Sequence, residues 1–127
     1  MYKENKPLGR HMLLELYGCP VAVLNDENVI DEILTTVVDE VNATLVSKSF
    51  HHFSPYGVSG VVVIAESHIT VHTWPEHNYA AVDVFTCDAK IDYDLVEKLL
   101  SEKFQSEKHV ARTIARGEIV NPAINQS

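Results

Sequence analysis

Residues 66–76, ESHITVHTWPE, place a serine, two histidines, a tryptophan and two acids within eleven positions of an otherwise apolar region. Three chemistries use such a set. A metal site would draw on His68 and His72, with His51, His52, His77 and Cys87 as further donors. The surrounding residues alternate as a strand, and two strand side chains four positions apart are separated by roughly 13 Å. One ion cannot hold both, and neither HExxH nor CxxC occurs, so no metal is expected. A Ser-His-Asp hydrolase would need Ser67 in a GxSxG elbow entering a helix, and both are missing. The third chemistry is attack by Ser67 Oγ on the carbonyl of its own preceding residue, Glu66, turning amide into ester. It requires an unusual peptide, donors for the developing oxyanion and a nearby base. Removal of the serine Cα proton would then break the ester by β-elimination, and loss of ammonia would leave a pyruvoyl group. Such a carbonyl condenses with a substrate amine and accepts electrons as carbon dioxide departs, work otherwise done by pyridoxal phosphate. A hydrogen-bonded turn serine is the competing structural explanation of Ser67.

The elements that must position these residues are legible in the patterning. Arg10–Cys19 is a short apolar run read as a strand, punctuated by Gly18 and Pro20. Val29, Ile30, Ile33, Leu34, Val37, Val38 and Val41 repeat with helical period, with Asp26 as a cap. Thr44–Phe53 alternates as a half-buried strand, and Ser54-Pro55-Tyr56-Gly57 is a turn. Val58–Ala65 reads as a central strand, Ile69–Trp74 and Tyr79–Cys87 as two more, with a turn over Pro75–Asn78. A second helix follows Asp92 or Asp94, carrying Leu95, Val96, Leu99, Leu100 and Phe104 on one face; Lys108–Arg116 is the last strand. Two helices cover one face of so broad a sheet. The expected fold is therefore α+β: a two-layer sandwich, mainly antiparallel, with helices on one face. The strands are apolar on both parities, so the other face is expected to pack on a second copy.

The 127 residues suit one domain. A formal charge of −8 argues against nucleic acid or an anionic membrane as partner and admits a cationic small ligand. No apolar stretch approaches the ~20 residues of a membrane span, and the start, MYKENKPLGR, lacks a secretory apolar run. Cytoplasmic residence is expected. Two cysteines, Cys19 and Cys87, make neither a disulfide framework nor a zinc site.

The run FSPYGVSGVVVIAESHITVHTWPE…YAAVDVFTC, residues 53–87, resembles the prokaryotic S-adenosylmethionine decarboxylase proenzymes. The resemblance rests on Tyr56-Gly57-Val58-Ser59-Gly60, Glu66-Ser67-His68, His72-Thr73-Trp74-Pro75-Glu76 and Phe85-Thr86-Cys87 in order. Gly9-Arg10-His11 and Leu16-Tyr17-Gly18-Cys19 add to it. It implies cleavage between Glu66 and Ser67, giving chains 1–66 and 67–127 of one domain, with a covalent pyruvoyl group made from Ser67. It further implies a carboxy-lyase acting on S-adenosylmethionine, whose product donates aminopropyl groups to spermidine, and a homodimer of cleaved protomers.

By the same resemblance His72 is the base of the elimination, Ser59 a hydroxyl aiding the acyl shift, and Cys87 the thiol that protonates the substrate carbon. Phe53 stacks on adenine, Glu76 holds the ribose hydroxyls, and Trp74 is a further nucleoside-pocket residue. The types suit the roles. A free thiol has a pKa of about 8.5, a carboxylate offers two acceptor oxygens to vicinal hydroxyls, and adenine presents a flat face to an aromatic ring. Ser59 could instead be a small residue between strands, Cys87 an inert thiol, and Phe53 and Trp74 plain core. In a continuous strand Ser67 and His72 face opposite sides, so a bend near Glu66–His68 is expected to bring them together. His77 and Asn78 stand where the family has an aromatic and a glycine, and Asp88 where it has glycine; Asn and Asp tolerate the left-handed turn. Two other functions share features with this one. Relatives acting on arginine or ornithine would use the same Ser67, Ser59, His72 and Cys87 with a different pocket, and an uncleaved regulatory homologue would lack the processing set.

Overall fold

The computed structural model describes residues 7–65 and 67–118. Their elements run β1 (Pro7–Tyr17), α1 (Val21–Leu24), α2 (Glu27–Glu40), β2 (Leu45–His52), β3 (Val58–Ile64), β4 (Ser67–Trp74), a 3-10 turn (Pro75–His77), β5 (Tyr79–Thr86), α3 (Tyr93–Lys103) and β6 (Lys108–Glu118). The six strands form one sheet in the order β2-β3-β4-β5-β1-β6, every neighbouring pair antiparallel. The two-layer α+β reading holds. The one-turn α1 is an addition that the sequence did not announce.

One helix face and one strand parity make the core. Ile30, Ile33, Leu34, Val37 and Val38 of α2 and Val96, Leu99 and Leu100 of α3 are buried against the sheet, with Phe104 just beyond. The sheet answers with alternate residues: Met12, Leu14 and Leu16 of β1, Ile69 and Val71 of β4, and Val82 and Val84 of β5. A valine-rich α2 has modest intrinsic helix propensity, so this burial is what holds it. Asp26 Oδ1 caps it, accepting the Asn28 and Val29 N–H groups at 2.9 and 3.2 Å. Of the two candidate caps for α3, Asp92 is the one used, at 3.1 Å to Leu95 N.

The strand expected to be half-buried, β2, is mostly exposed because it is an edge strand, which α2 runs beside without burying. Its anchors are Phe50, whose ring lies over Gly60, and Lys48, which pairs with Asp31 of α2 at 2.8 Å. A Cβ at Gly60 would fall 2.2 Å from the Phe50 ring, so a side chain there would displace that ring. The sheet face opposite the helices is uncovered within the protomer. It mixes apolar residues such as Leu13, Val61 and Ala81 with polar ones that are already paired: His11 with Asp83 at 3.0 Å, Thr70 with Asp83 at 3.2 Å, and Tyr79 with Glu15.

Two measurements probe this fold. Asp26→Ala removes the cap of α2 and is expected to cost about 1 kcal/mol in urea unfolding of the full-length chain; no change would mean that α2 is held without it. Cys19 is fully buried, and desolvation pushes its thiol up to about 11, whereas Cys87 is exposed. Iodoacetamide at neutral pH is expected to label Cys87 in the folded protein and Cys19 only after denaturation, read by peptide mass mapping.

Candidate active site

The β3–β4 hairpin decides where the chemistry lies. Ile64 pairs with Ser67, so only residues 65 and 66 connect the strands. Ala65 N–H donates to Thr44 O at 2.9 Å. Glu66, the expected residue on the other side of the cleaved bond, lies outside the described residues. The turn falls before Ser67 rather than around it, and β4 begins at Ser67 itself. From there β4 is paired without interruption to β3 on one side and β5 on the other, which leaves no room for the expected bend. Ser67 therefore shares a face with buried Ile69, Val71 and Thr73, while His72 shares the uncovered face with His68, Thr70 and Trp74. Five residues of strand put the two roughly 16 Å apart. Within one chain they do not meet.

Two clusters result, one at each end of β4. At the first, Ser67 Oγ donates to Thr86 Oγ1 at 2.5 Å across the β4–β5 ladder. Thr86 Oγ1 also accepts the Asp88 N–H at 2.9 Å. Cys87, exposed, is the residue after the one paired with Ser67. A hollow of about 350 Å³ opens beside it, lined among others by Gly9, Arg10, Thr86, Cys87 and Tyr93. Tyr93 donates to Arg10 O at 2.7 Å, and burial raises its pKa. On the uncovered side of the same end, the His68 and Phe85 rings lie 5.6 Å apart and the Arg116 guanidinium is 5.5 Å from the Phe85 ring. Phe85 can lie there because Gly9 beneath it has no Cβ, which would be 2.8 Å from the ring.

At the second cluster Ser59 and His72 are directly opposed on β3 and β4, and Ser59 Oγ is 2.8 Å from His72 Nδ1. That bond holds one imidazole nitrogen and leaves Nε2 for other work. The resemblance implies separate roles for Ser59 and His72; the register places them side by side as a hydrogen-bonded pair. Trp74, 40 % exposed, stacks on Tyr79 at 5.3 Å, so its ring belongs to the uncovered face. Glu76 is exposed on the 3-10 turn. Phe53 is 48 % exposed just past β2, edge-on to His51 at 4.4 Å.

Asn25, between α1 and α2, fixes the Phe53 loop. Its Oδ1 accepts Gly57 N–H at 2.9 Å and lies 3.0 Å from His52 Nε2, and its Nδ2 donates to Pro55 O at 3.3 Å. Phe53 N–H closes the loop on Gly57 O at 2.7 Å. The sequence carried no signal for Asn25. Thr86 stood in a quoted motif without a role.

The departures from the family pattern resolve differently. Asn78 takes the left-handed conformation at φ 51° and its Nδ2 donates to Cys19 O at 2.9 Å, so the turn is kept. Asp88 does not use that conformation. Its side chain instead accepts the Lys90 N–H at 2.8 Å, a local turn made by a carboxylate.

Comparison with known proteins finds relatives over most of the chain. A family model described as S-adenosylmethionine decarboxylase matches residues 10–117. An S-adenosylmethionine decarboxylase proenzyme from Acetivibrio thermocellus is 48 % identical over 115 residues, covering 91 % of this chain and 93 % of that one. One from Pelotomaculum thermopropionicum is 49 % identical over 114 residues, 90 % of each chain. The crystal structure of the adenosylmethionine decarboxylase from Aquifex aeolicus VF5 superposes with a TM-score of 0.82 at 36 % identity, covering 91 % of this chain and 95 % of that one. With a family match over most of its length and relatives near half identity, the chain belongs to the S-adenosylmethionine decarboxylase family.

Proposed function

We propose that this chain is a self-cleaving proenzyme that decarboxylates S-adenosylmethionine, and that two copies complete each active site. The observation that carries it is the division of one family's motif set into two clusters at opposite ends of β4, each chemically incomplete alone. Ser67 is the self-cleavage serine, joined to Glu66 at the cleaved bond, so that residues 1–66 and 67–127 become separate chains. Its position at the start of a strand, with its hydroxyl hydrogen-bonded and an exposed thiol next to its ladder partner, fits a precursor of a pyruvoyl group. When formed, that group supplies a carbonyl that draws electrons from the bond to the departing carbon dioxide. His72 removes the Cα proton of Ser67, with Ser59 holding its Nδ1; Cys87 gives a proton to the substrate carbon after carbon dioxide leaves. Phe53 stacks on adenine, Glu76 accepts from the ribose hydroxyls, and Trp74 borders the nucleoside. The substrate is a sulfonium, and a chain of charge −8 does not oppose it. The product is an aminopropyl donor for spermidine.

The dimer follows from distance. Ser67 and Cys87 lie at one end of the sheet, Ser59, His72 and Trp74 toward the other. Two copies packed through their uncovered faces about a two-fold axis bring the first cluster of each onto the second cluster of its partner, twice over. The Cα proton, unlike the side chain of Ser67, is not committed to the helix side. The centre of the face suits burial because its charged and polar groups, His11, Asp83, Glu15, Tyr79 and Thr70, are hydrogen-bonded inside the protomer before any partner arrives. No feature of the site favours arginine or ornithine as substrate, or an uncleaved regulatory role, over this reading.

Purified protein is expected to give two chains by mass spectrometry, the second beginning in a pyruvoyl group at position 67, and to release carbon dioxide from S-adenosylmethionine but not from arginine or ornithine. Ser67→Ala is expected to stay whole and inactive; a wild-type chain that stays whole would sink the proposal. The shared site has its own test. Ser67→Ala and His72→Ala chains, each uncleaved alone, are expected to restore cleavage of the His72→Ala chain when co-expressed, because mixed dimers hold one complete site. Absence of cleavage in mixed dimers isolated with two affinity tags would mean that each site is built from one chain.

A further inference from the structure

We infer that Thr86 is a positioning residue for self-cleavage: its buried hydroxyl holds Ser67 Oγ in the orientation from which it attacks the preceding carbonyl. The starting observation is an anomaly of pattern. Along β5 the residues facing the helices are Ala80, Val82, Val84 and Thr86, all buried, and Thr86 alone is polar, at 3 % exposure. Valine has the same branched shape and would fill the space without a hydroxyl to satisfy. The hydroxyl is explained by what it bonds. Thr86 is the ladder partner of Ser67, and its Oγ1 lies 2.5 Å from Ser67 Oγ.

A second bond holds the Thr86 oxygen in place. Asp88 N–H, which can only donate, reaches Thr86 Oγ1 at 2.9 Å. Asp88 is itself held in a local turn, its Oδ1 accepting from Lys90 N and its carbonyl from Ile91 N at 3.2 Å. A β-branched side chain is stiff about χ1. Thr86 Oγ1 is therefore a fixed hydrogen-bonding oxygen on a rigid strand, and Ser67 Oγ is the partner that it orients. A residue that merely capped the loop after β5 would need the Asp88 bond alone.

This inference rests on the cleavage reading above. In the step concerned, the bond from Ser67 Oγ to the carbonyl carbon of Glu66 forms and the bond from that carbon to the Ser67 nitrogen breaks. The hydroxyl proton ends on the freed nitrogen, so the change is an isomerisation that consumes nothing. Thr86 takes no proton in it. Its contribution is to limit where Oγ points before attack, and orientation of this kind is worth roughly 10- to 100-fold in rate.

The test follows cleavage over time in freshly synthesised full-length chains, by gel and intact mass. Thr86→Val is expected to slow cleavage by roughly 10- to 100-fold, and Thr86→Ser to restore it to within a few-fold of wild type. Thr86→Ala, which requires no extra space, stands in if the valine chain does not melt cooperatively. Hydroxylamine, which cleaves esters, locates the defect: it is expected to leave the valine chain whole because no ester accumulates. A valine or alanine chain that folds and cleaves at the wild-type rate overturns the inference and leaves the cleavage reading standing. Rapid hydroxylamine cleavage of those chains also overturns it, since the ester would then form without Thr86. Wild-type protein that never cleaves overturns the cleavage reading, and this inference with it.

Discussion

The constraint on which the rest depends is the register of one hairpin. Because Ile64 pairs with Ser67, β4 starts at the proposed self-cleavage serine, and every later residue of β4 inherits its side of the sheet from that start. The register puts Ser59 opposite His72 and Ser67 opposite Thr86. It also separates Ser67 from His72 by the length of a strand and by the thickness of the sheet. A slip of one residue would exchange the faces of β4 and bury His72 among Val62 and Val82. The apolar set Ile69, Val71 and buried Thr73 forbids that slip, with Thr73 Oγ1 donating to Leu24 O at 2.8 Å and accepting Val58 N–H at the same distance. The hydrophobic core thus fixes the positions of groups that lie outside it.

The two faces of the sheet have divided the work. Helices α2 and α3 cover one face with an ordinary apolar core, which supplies the rigidity. The other face carries polar side chains at many of its positions, and those at its centre, His11, Glu15, Thr70, Tyr79 and Asp83, satisfy one another across strands. An unpaired carboxylate there would make burial by a partner costly. Asp83, held by both His11 and Thr70, is not unpaired.

Much of this was legible in the sequence, and the parts that were not have identifiable reasons. The apolar stripe of α2 and the alternation of β4 and β5 named the elements and the buried parity, because each side chain's face follows from periodicity alone. The resemblance named Ser67, His72 and Cys87. Edge position was not legible: Leu45–His52 alternates like an interior strand, and only strand order reveals that the helices leave it exposed. The relation of Ser67 to His72 was misjudged for a related reason. Parity separated them correctly, but assuming that they must meet within one chain led to a bend that two unbroken ladders exclude. Asn25 was invisible because its three partners come from a loop about thirty residues away. Asp88 was expected to imitate glycine through its backbone, and it makes its turn with its side chain instead.

The strand order has one more consequence. Chain 1–66 would own β1, β2 and β3, and chain 67–127 would own β4, β5 and β6, yet the sheet runs β2-β3-β4-β5-β1-β6. The strand β1 is threaded between two strands of the other fragment, and three of the five ladders join one fragment to the other. A cut before Ser67 would therefore leave the two pieces joined along three ladders. It does change the meaning of reversibility. A whole chain can refold by itself at any dilution, whereas the cut protein must find its other half before β1 has anywhere to go. Under the proposed cleavage, folding would be a memory held by the precursor, and three shared ladders would hold the two fragments together.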